Sequence, residues 1–250
     1  MTTNLLTFLI IPVTILLYFN LRWLLISTSY LIVLIYTALI AGLTFYATDF
    51  VAQTDPALRQ FFKLQTDILP LFVPALTMRL WADEYKHNTL EILLSQPVSW
   101  NAFVWGKFLA AWAVTGIMLV STFGIWLLSA FYVPLDNSWI LWSYVMSFLM
   151  AGALCAVCSL VASLCYNALG AFIMALGVCC VLVYVRFDSL WENILGEHLI
   201  IRNFLGAFDF QKQFFSLIDG QISIAAVSYF VLLIAASLGL SAAAVDYKRN

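Results

Sequence analysis

The sequence predicts an all-α polytopic membrane protein with six transmembrane helices, an N-terminal interfacial helix and a short cytoplasmic helix between two spans. Two observations carry this. Of the 250 residues, 64% are hydrophobic and only 10% are charged, where a soluble domain carries about 25% charged residues, so the chain cannot cover a globule with polar surface. The apolar runs are also continuous rather than alternating. Backbone groups in lipid must be satisfied internally, which leaves helices or a closed barrel, and continuous runs select helices. The net charge of −2 and the lack of a basic tract give no sign of a nucleic-acid partner. Residues 1–250 read as one membrane domain.

The segment Leu5 to Phe19 is apolar but short for a span, which needs about 20 residues. It also contains Pro12 and lacks the basic start and cleavage site of a signal peptide. Residues 1–21 therefore read as a helix lying on or dipping into the membrane interface. The first span runs from about Leu24 to Ala47, followed by a polar loop with Asp49, Asp55, Pro56, Arg59 and Lys63. The second covers about Ile68 to Trp81, beginning as early as Phe61, with Pro70 and Pro74 as potential kinks because each removes a backbone donor. The third is about Asn101 to Phe131 and the fourth about Trp139 to Leu164. After the turn Cys165-Tyr166-Asn167 comes the fifth, about Ala168 to Val185. Residues 186–220 mix acids and bases with Leu190, Phe204, Phe208, Phe214 and Phe215, which suits short helices on the outer membrane surface. The sixth span is about Ile222 to Val245.

Six spans place both termini on one side. That side holds six bases, Arg22, Arg79, Lys86, Lys107, Lys248 and Arg249, against five on the other. The six lie close to span ends, where the positive-inside rule has its weight, so the termini and the segment between spans two and three are expected in the cytoplasm.

That segment concentrates the chain's polarity. Asn88-Thr89-Leu90-Glu91 has the form of a helix start, with Asn88 accepting from first-turn amides and Glu91 reaching back three residues on. Ile92-Leu93-Leu94 follows and Pro97 stops the helix. Leu90, Leu93 and Leu94 share one face, which can sit against the spans, while Glu91 looks outward. Glu84 and His87 lie one turn apart on the extension of the second span. Any loop between spans is polar for solvation alone. Yet Cys165-Tyr166-Asn167, on the same side, has no charge, and a solvated loop has no use for a capped helix.

Thr77-Met78-Arg79, Glu84, Thr89-Leu90-Glu91-Ile92-Leu93-Leu94, Pro97-Val98-Ser99 and Gly106-Lys107-Phe108 together resemble the signature of type 2 ABC transporter permeases, closest to the branch of gliding-motility-associated permeases. The likeness extends over most of residues 22–250. The chain departs from that pattern with Asn88 where the family has glycine, with Tyr85-Lys86 in place of a basic pair, and with its apolar first twenty residues. The resemblance implies a six-span subunit of a bacterial inner-membrane ABC exporter, paired with a second permease subunit, identical or not. It also implies a separate ABC ATPase that carries ATP and Mg. Residues 83–99 would dock on that ATPase through Glu84, Asn88, Thr89 and Glu91, with Leu90, Leu93, Leu94 and Pro97 holding the helix to its own spans.

Other features carry less. Gly106-Lys107 lacks the earlier glycine and the Ser or Thr of a phosphate-binding loop, with Asn101 and Phe108 at those positions, so no cofactor is expected on this chain and no catalysis by it. Lys107 reads as snorkelling to the headgroups. Cys155 and Cys158 have C-x-x-C spacing but lie among small residues that suit close helix packing, so no metal site is expected. Asp209 and His198 read as solvated polar loop. The spans contain almost no ionisable residue, which disfavours an ion pathway and fits an apolar or amphiphilic cargo in contact with membrane lipid. The alternative retained is a non-transport scaffold that docks a cytoplasmic partner.

Overall fold

The computed structural model describes residues 29–47, 54–78, 100–132, 137–165, 167–184, 209–218 and 224–249. Eight helices occupy these residues, with no strand among them: α1 (Ser29–Ala47), α2 (Thr54–Thr77), α3 (Trp100–Ser121), α4 (Phe123–Tyr132), α5 (Asn137–Leu164), α6 (Ala168–Tyr184), α7 (Phe210–Ile218) and α8 (Ile224–Arg249). Among the described residues, four stretches are long and apolar enough to cross a membrane: Ser29–Tyr46, Phe103–Ala130, Asn137–Leu164 and Ile224–Asp246. α6 is apolar but has 17 residues, about 25 Å of helix against a hydrocarbon core of about 30 Å.

The bundle is built around α5. Its 28 residues pack against α8, α2, α6, α3 and α7. Small side chains line it, from Ser143 and Ser147 through Ala151, Gly152, Ala153 and Ala156 to Ser159 and Ala162, all buried. With small residues facing them, neighbouring backbones approach closely, and the close approach supplies the van der Waals contact that lipid cannot better. The buried hydroxyls do not disturb this packing because they turn back on their own helix: Ser143 donates to the Trp139 carbonyl at 2.9 Å and Ser147 to that of Ser143 at 2.8 Å. α6 starts where Asn167 accepts the Leu169 amide at 3.2 Å through Oδ1 and that of Ala171 at 2.8 Å through its carbonyl, an N-cap at the expected turn.

Three expectations gain detail. The polar stretch before the second span is helix, since α2 begins at Thr54. Arg59, Lys63 and Asp67 recur every four residues and form one stripe, while Phe61, Phe62, Gln65, Leu69, Val73 and Leu76 form the buried face. The third span keeps close to its expected extent, as Phe103–Ala130, but is broken at Thr122 into α3 and α4. There Ser121 and Thr122 donate their hydroxyls to the carbonyls of Met118 and Leu119, each at 2.6 Å, a side-chain competition that bends helices, and Gly124 follows at once. Finally, α7 sets one face into the bundle. Phe210, Phe214, Leu217 and Ile218 are buried against α5, α6 and α8.

The interfacial segment 1–21, the segment 83–99 and the rest of 186–220 apart from 209–218 lie outside the described residues, and so do Glu84, Asn88, Thr89, Leu90, Glu91, Leu93, Leu94 and Pro97.

Candidate functional site

The described residues on either side of 79–99 are the ends of α2 and α3. Pro70 and Pro74 stand inside α2 and leave the carbonyls one turn before them without their helical donors. The last turn is closed by the Met78 amide on the Pro74 carbonyl at 2.9 Å and by the buried Thr77 hydroxyl on the Val73 carbonyl at 3.1 Å. α3 enters the core within its first turn: Phe103, Val104, Lys107 and Phe108 are all buried. Both ends are thus rigidly packed.

Lys107 is more enclosed than a headgroup-facing lysine needs to be. Its side chain is fully buried, with Nζ 4.9 Å from the centre of the Phe103 ring one turn earlier. The stem runs back one turn toward the start of α3, and the ring face offers the ammonium a cation–π contact.

Further along α3 the helix locks onto α5. The Trp112 ring stacks on Phe148 at 4.5 Å and 9°, and its Nε1 donates to the Phe148 carbonyl at 2.9 Å. The fit is reciprocal at two glycines. A Cβ on Gly152 would lie 2.7 Å from the indole nitrogen, and one on Gly116 would lie 2.9 Å from the Phe148 ring.

At the break in α3–α4, Tyr144 of α5 gathers an aromatic cluster. Phe123 lies 4.5 Å from its ring, Phe62 of α2 lies 5.3 Å away and Phe61 6.3 Å. The Tyr144 hydroxyl donates to the Thr122 carbonyl at 3.3 Å and sits 3.2 Å from the Thr122 hydroxyl, so the break is bound to α5. On the α2 side of the cluster the Arg59 guanidinium stands 5.8 Å over the Trp139 ring.

The same end of α5 holds α7. Trp139 Nε1 donates to the Ile218 carbonyl at 2.7 Å and Trp142 Nε1 to that of Leu217 at 3.0 Å. These are the last two carbonyls of the helix, which have no partner within it. At the other terminus Asp209 is the N-cap, accepting the Lys212 amide at 3.1 Å. The buried Asp209 is therefore a structural group rather than solvated loop. A polar tie joins α7 and α6 to α2: Gln211 donates to Asp67 Oδ1 at 3.0 Å and the Tyr184 hydroxyl to the Asp67 carbonyl at 2.6 Å.

The C-x-x-C pair does not face itself. Cys155 lies 3.4 Å from the Thr115 hydroxyl, while Cys158 lies 3.2 Å from Cys179 of α6. No His, Cys, Asp or Glu grouping among the described residues is arranged to hold a metal.

The small residues around Gly152 are legible as a close-packing stripe, but sequence reading does not single out Gln65, Trp112, Tyr144 or the two indoles on α7. Only the four-residue repeat of Arg59, Lys63 and Asp67 could have placed Gln65 in a buried helix face, and nothing in an apolar run distinguishes an indole that caps a helix from one that meets lipid.

The fold is that of a multi-pass helical membrane protein whose core is closed by helix–helix packing and polar ties. A family model described as ABC-2 family transporter protein matches residues 19–245. The chain belongs to that family, and so is the membrane permease component of an ABC transporter, not itself catalytic. No curated protein matches the chain significantly.

Proposed function

We propose that this chain is the permease subunit of an ABC exporter in the inner membrane of a bacterium, and that it couples ATP hydrolysis on a separate subunit to extrusion of an amphiphilic substrate. It spans the membrane six times with both termini in the cytoplasm, pairs with a second permease subunit, and leaves ATP and Mg to the ATPase. Within the family, the gliding-motility-associated branch is the one that its signature most resembles.

One observation carries the coupling reading. Residues 79–99 join α2 and α3, and the adjoining ends of both helices are packed into the core at Thr77 and at Phe103 to Phe108. A segment fixed between two packed helices passes on a displacement that a segment between loose ends would absorb. In this reading Glu84, Asn88, Thr89 and Glu91 face the ATPase, and Leu90, Leu93, Leu94 and Pro97 hold the helix to the spans. α2 conveys the push to α5, α6 and α1, and α3 conveys it to α5, α8 and α1. The core also supports the cargo class. Among the described residues its buried polar groups are mostly hydroxyls, amides and thiols, with Lys107 the one buried ionisable amine in a span, near its start, whereas a route for ions would need a series of such groups.

The test is the double variant Glu84→Ala plus Glu91→Ala. It is expected to insert in the membrane normally while releasing the ATPase on purification or uncoupling its hydrolysis from transport. Unchanged co-purification together with unchanged transport would sink the assignment. A scaffold without transport would show the docking but no nucleotide-dependent movement of α2 against α5.

A further inference from the structure

Arg59 and Lys63, in the first turns of α2, take no part in the coupling described above. Both are exposed and stand one turn apart, on a helix whose opposite face is buried through Phe61, Phe62 and Gln65. Two contacts fix their surroundings. The Arg59 guanidinium lies 5.8 Å over the Trp139 ring of α5, and Asp67, two turns after Arg59, accepts from Gln211 of α7 at 3.0 Å. Lys63 is midway between these contacts along α2, so both cations border the corner in which α2 meets α5 and α7. Trp139 ties the other two walls of that corner together, since its Nε1 holds the Ile218 carbonyl of α7 at 2.7 Å.

The indoles set the depth of the corner. Trp139 lies in the first turn of the span Asn137–Leu164, Trp142 follows it, and Trp126 donates to Asn137 Oδ1 at 3.3 Å. Tryptophans gathered at one end of a span mark the level of the headgroups. α2 and α5 run the same way here, Arg59 meeting Trp139 and Phe61 facing Tyr144, so Arg59 stands at that level. Lys63 is one turn, about 6 Å, further into the bilayer, at the edge of the hydrocarbon, and a lysine stem spans that distance back to the headgroups. Two turns beyond Lys63, Leu71 is 51% exposed, the apolar side chain that a helix turns to lipid.

Among the described residues the corner carries Arg59 and Lys63 against Asp67, while Lys212 and Asp209 of α7 offset each other in charge, which leaves it net positive. The Asp67 carboxylate is bonded to Gln211 and lies a turn deeper than Lys63. At headgroup depth the anion at hand is a lipid phosphate. A guanidinium fork holds two phosphate oxygens at once, and an ammonium adds a mobile point charge. We propose that Arg59 and Lys63 form a binding site for the phosphate of an anionic lipid headgroup, in the leaflet that surrounds the start of α2. A lipid seated there touches α2, α5 and α7 together. The site depends neither on the cargo nor on the ATPase, so it stands or falls apart from the transport reading.

Native mass spectrometry of the full-length protein in detergent, titrated with palmitoyl-oleoyl phosphatidylglycerol, reads this site. Wild type is expected to bind it at least about fivefold more tightly than phosphatidylcholine with the same chains, the worth of one cation at an anionic lipid surface. Lys63→Gln should weaken phosphatidylglycerol by about the same factor and leave phosphatidylcholine unchanged, while Lys63→Arg keeps the preference. Should Lys63→Gln fail to fold, Arg59→Gln decides, with the same selective loss expected. Phosphatidylglycerol affinity equal to wild type in the neutral variants would overturn the site. An equal loss of both lipids would overturn the anionic headgroup as its ligand. Displacement of phosphatidylglycerol by inorganic phosphate at equal concentration would overturn a lipid as the occupant.

Discussion

The Trp112 indole reaches the Phe148 carbonyl at 2.9 Å only because residue 152 has no side chain. That carbonyl already accepts the helical amide four residues on, so the indole adds a second bond at a point where α3 and α5 are nearest. A methyl group on residue 152 would stand 2.7 Å from the indole nitrogen, and the indole is held on its other side by the Phe108 and Phe148 rings.

Gly152→Ala should therefore push the indole out of its stack rather than fill space. Overpacking of this kind costs about 1–3 kcal/mol. Trp112→Phe keeps the stacking and removes only the N–H, with an expected loss of about 1 kcal/mol. Thermal unfolding of the purified protein in detergent checks the order. The glycine variant should be the less stable of the two, and a Gly152→Ala protein as stable as wild type would show that α3 and α5 are not locked here.

The two indoles on α7 make a separate prediction. Trp139→Phe and Trp142→Phe each free one terminal carbonyl, and each should cost about 1 kcal/mol. Because both act on the same nine-residue helix, the double variant should loosen α7 as a unit. Hydrogen exchange over residues 210–218 reads this directly, and faster exchange confined to that segment is expected. Unchanged protection would mean that Phe210, Phe214 and Leu217 hold α7 by burial alone.

What could be read from the sequence follows from what lipid demands. Continuous apolar runs gave the helices from Ser29, Asn137, Ala168 and Ile224 close to their observed positions, because in a membrane length and apolarity decide existence. The errors fall where a second interaction competes with that rule. Arg59, Lys63 and Asp67 made the start of α2 look like loop, although their spacing of four is that of an amphipathic helix. Thr122 broke the third span through a hydroxyl that the apolar run conceals. Lys107, expected at the membrane edge, holds its amine over Phe103, a contact that its long stem allows and that an apolar run does not announce. The candidate site was less legible. Gln211 and Asp67 are 144 positions apart, and only tertiary packing brings two unremarkable polar residues together. The coupling residues, Glu84 to Pro97, owe their assignment to capping chemistry and resemblance, and they lie outside the described residues.

The burial of Lys107 is checked by its reactivity. A lysine that snorkels would be acylated by a membrane-impermeant amine reagent added to intact, unsealed membranes. Lys107, fully buried under Phe103, should remain unmodified until the protein is denatured, while the exposed Lys63 is labelled. Peptide mass spectrometry before and after denaturation gives the comparison, and early labelling of Lys107 at the rate of Lys63 would contradict its position.

The thiols test how α5 meets α6. Cys158 and Cys179 lie 3.2 Å apart across that interface, and a disulfide requires about 2.05 Å, so a small side-chain movement brings them into bonding range. Cys155 faces Thr115 on the opposite neighbour, α3. A membrane-soluble two-electron oxidant should therefore join Cys158 to Cys179, releasing two protons and two electrons to the oxidant, and leave Cys155 as a thiol. The product is identified by mass spectrometry of the cross-linked peptides. It should vanish in Cys179→Ser and persist in Cys155→Ser, whereas a Cys155–Cys158 bond would mean that the C-x-x-C spacing outweighs the packing of α5 on α6. The cross-link also bears on mechanism. If α2 conveys movement to α5 and α6 together, a bond that fixes those two helices to each other should leave ATPase coupling intact. If transport requires them to slide past one another, oxidation should stop it, and reduction should restore it.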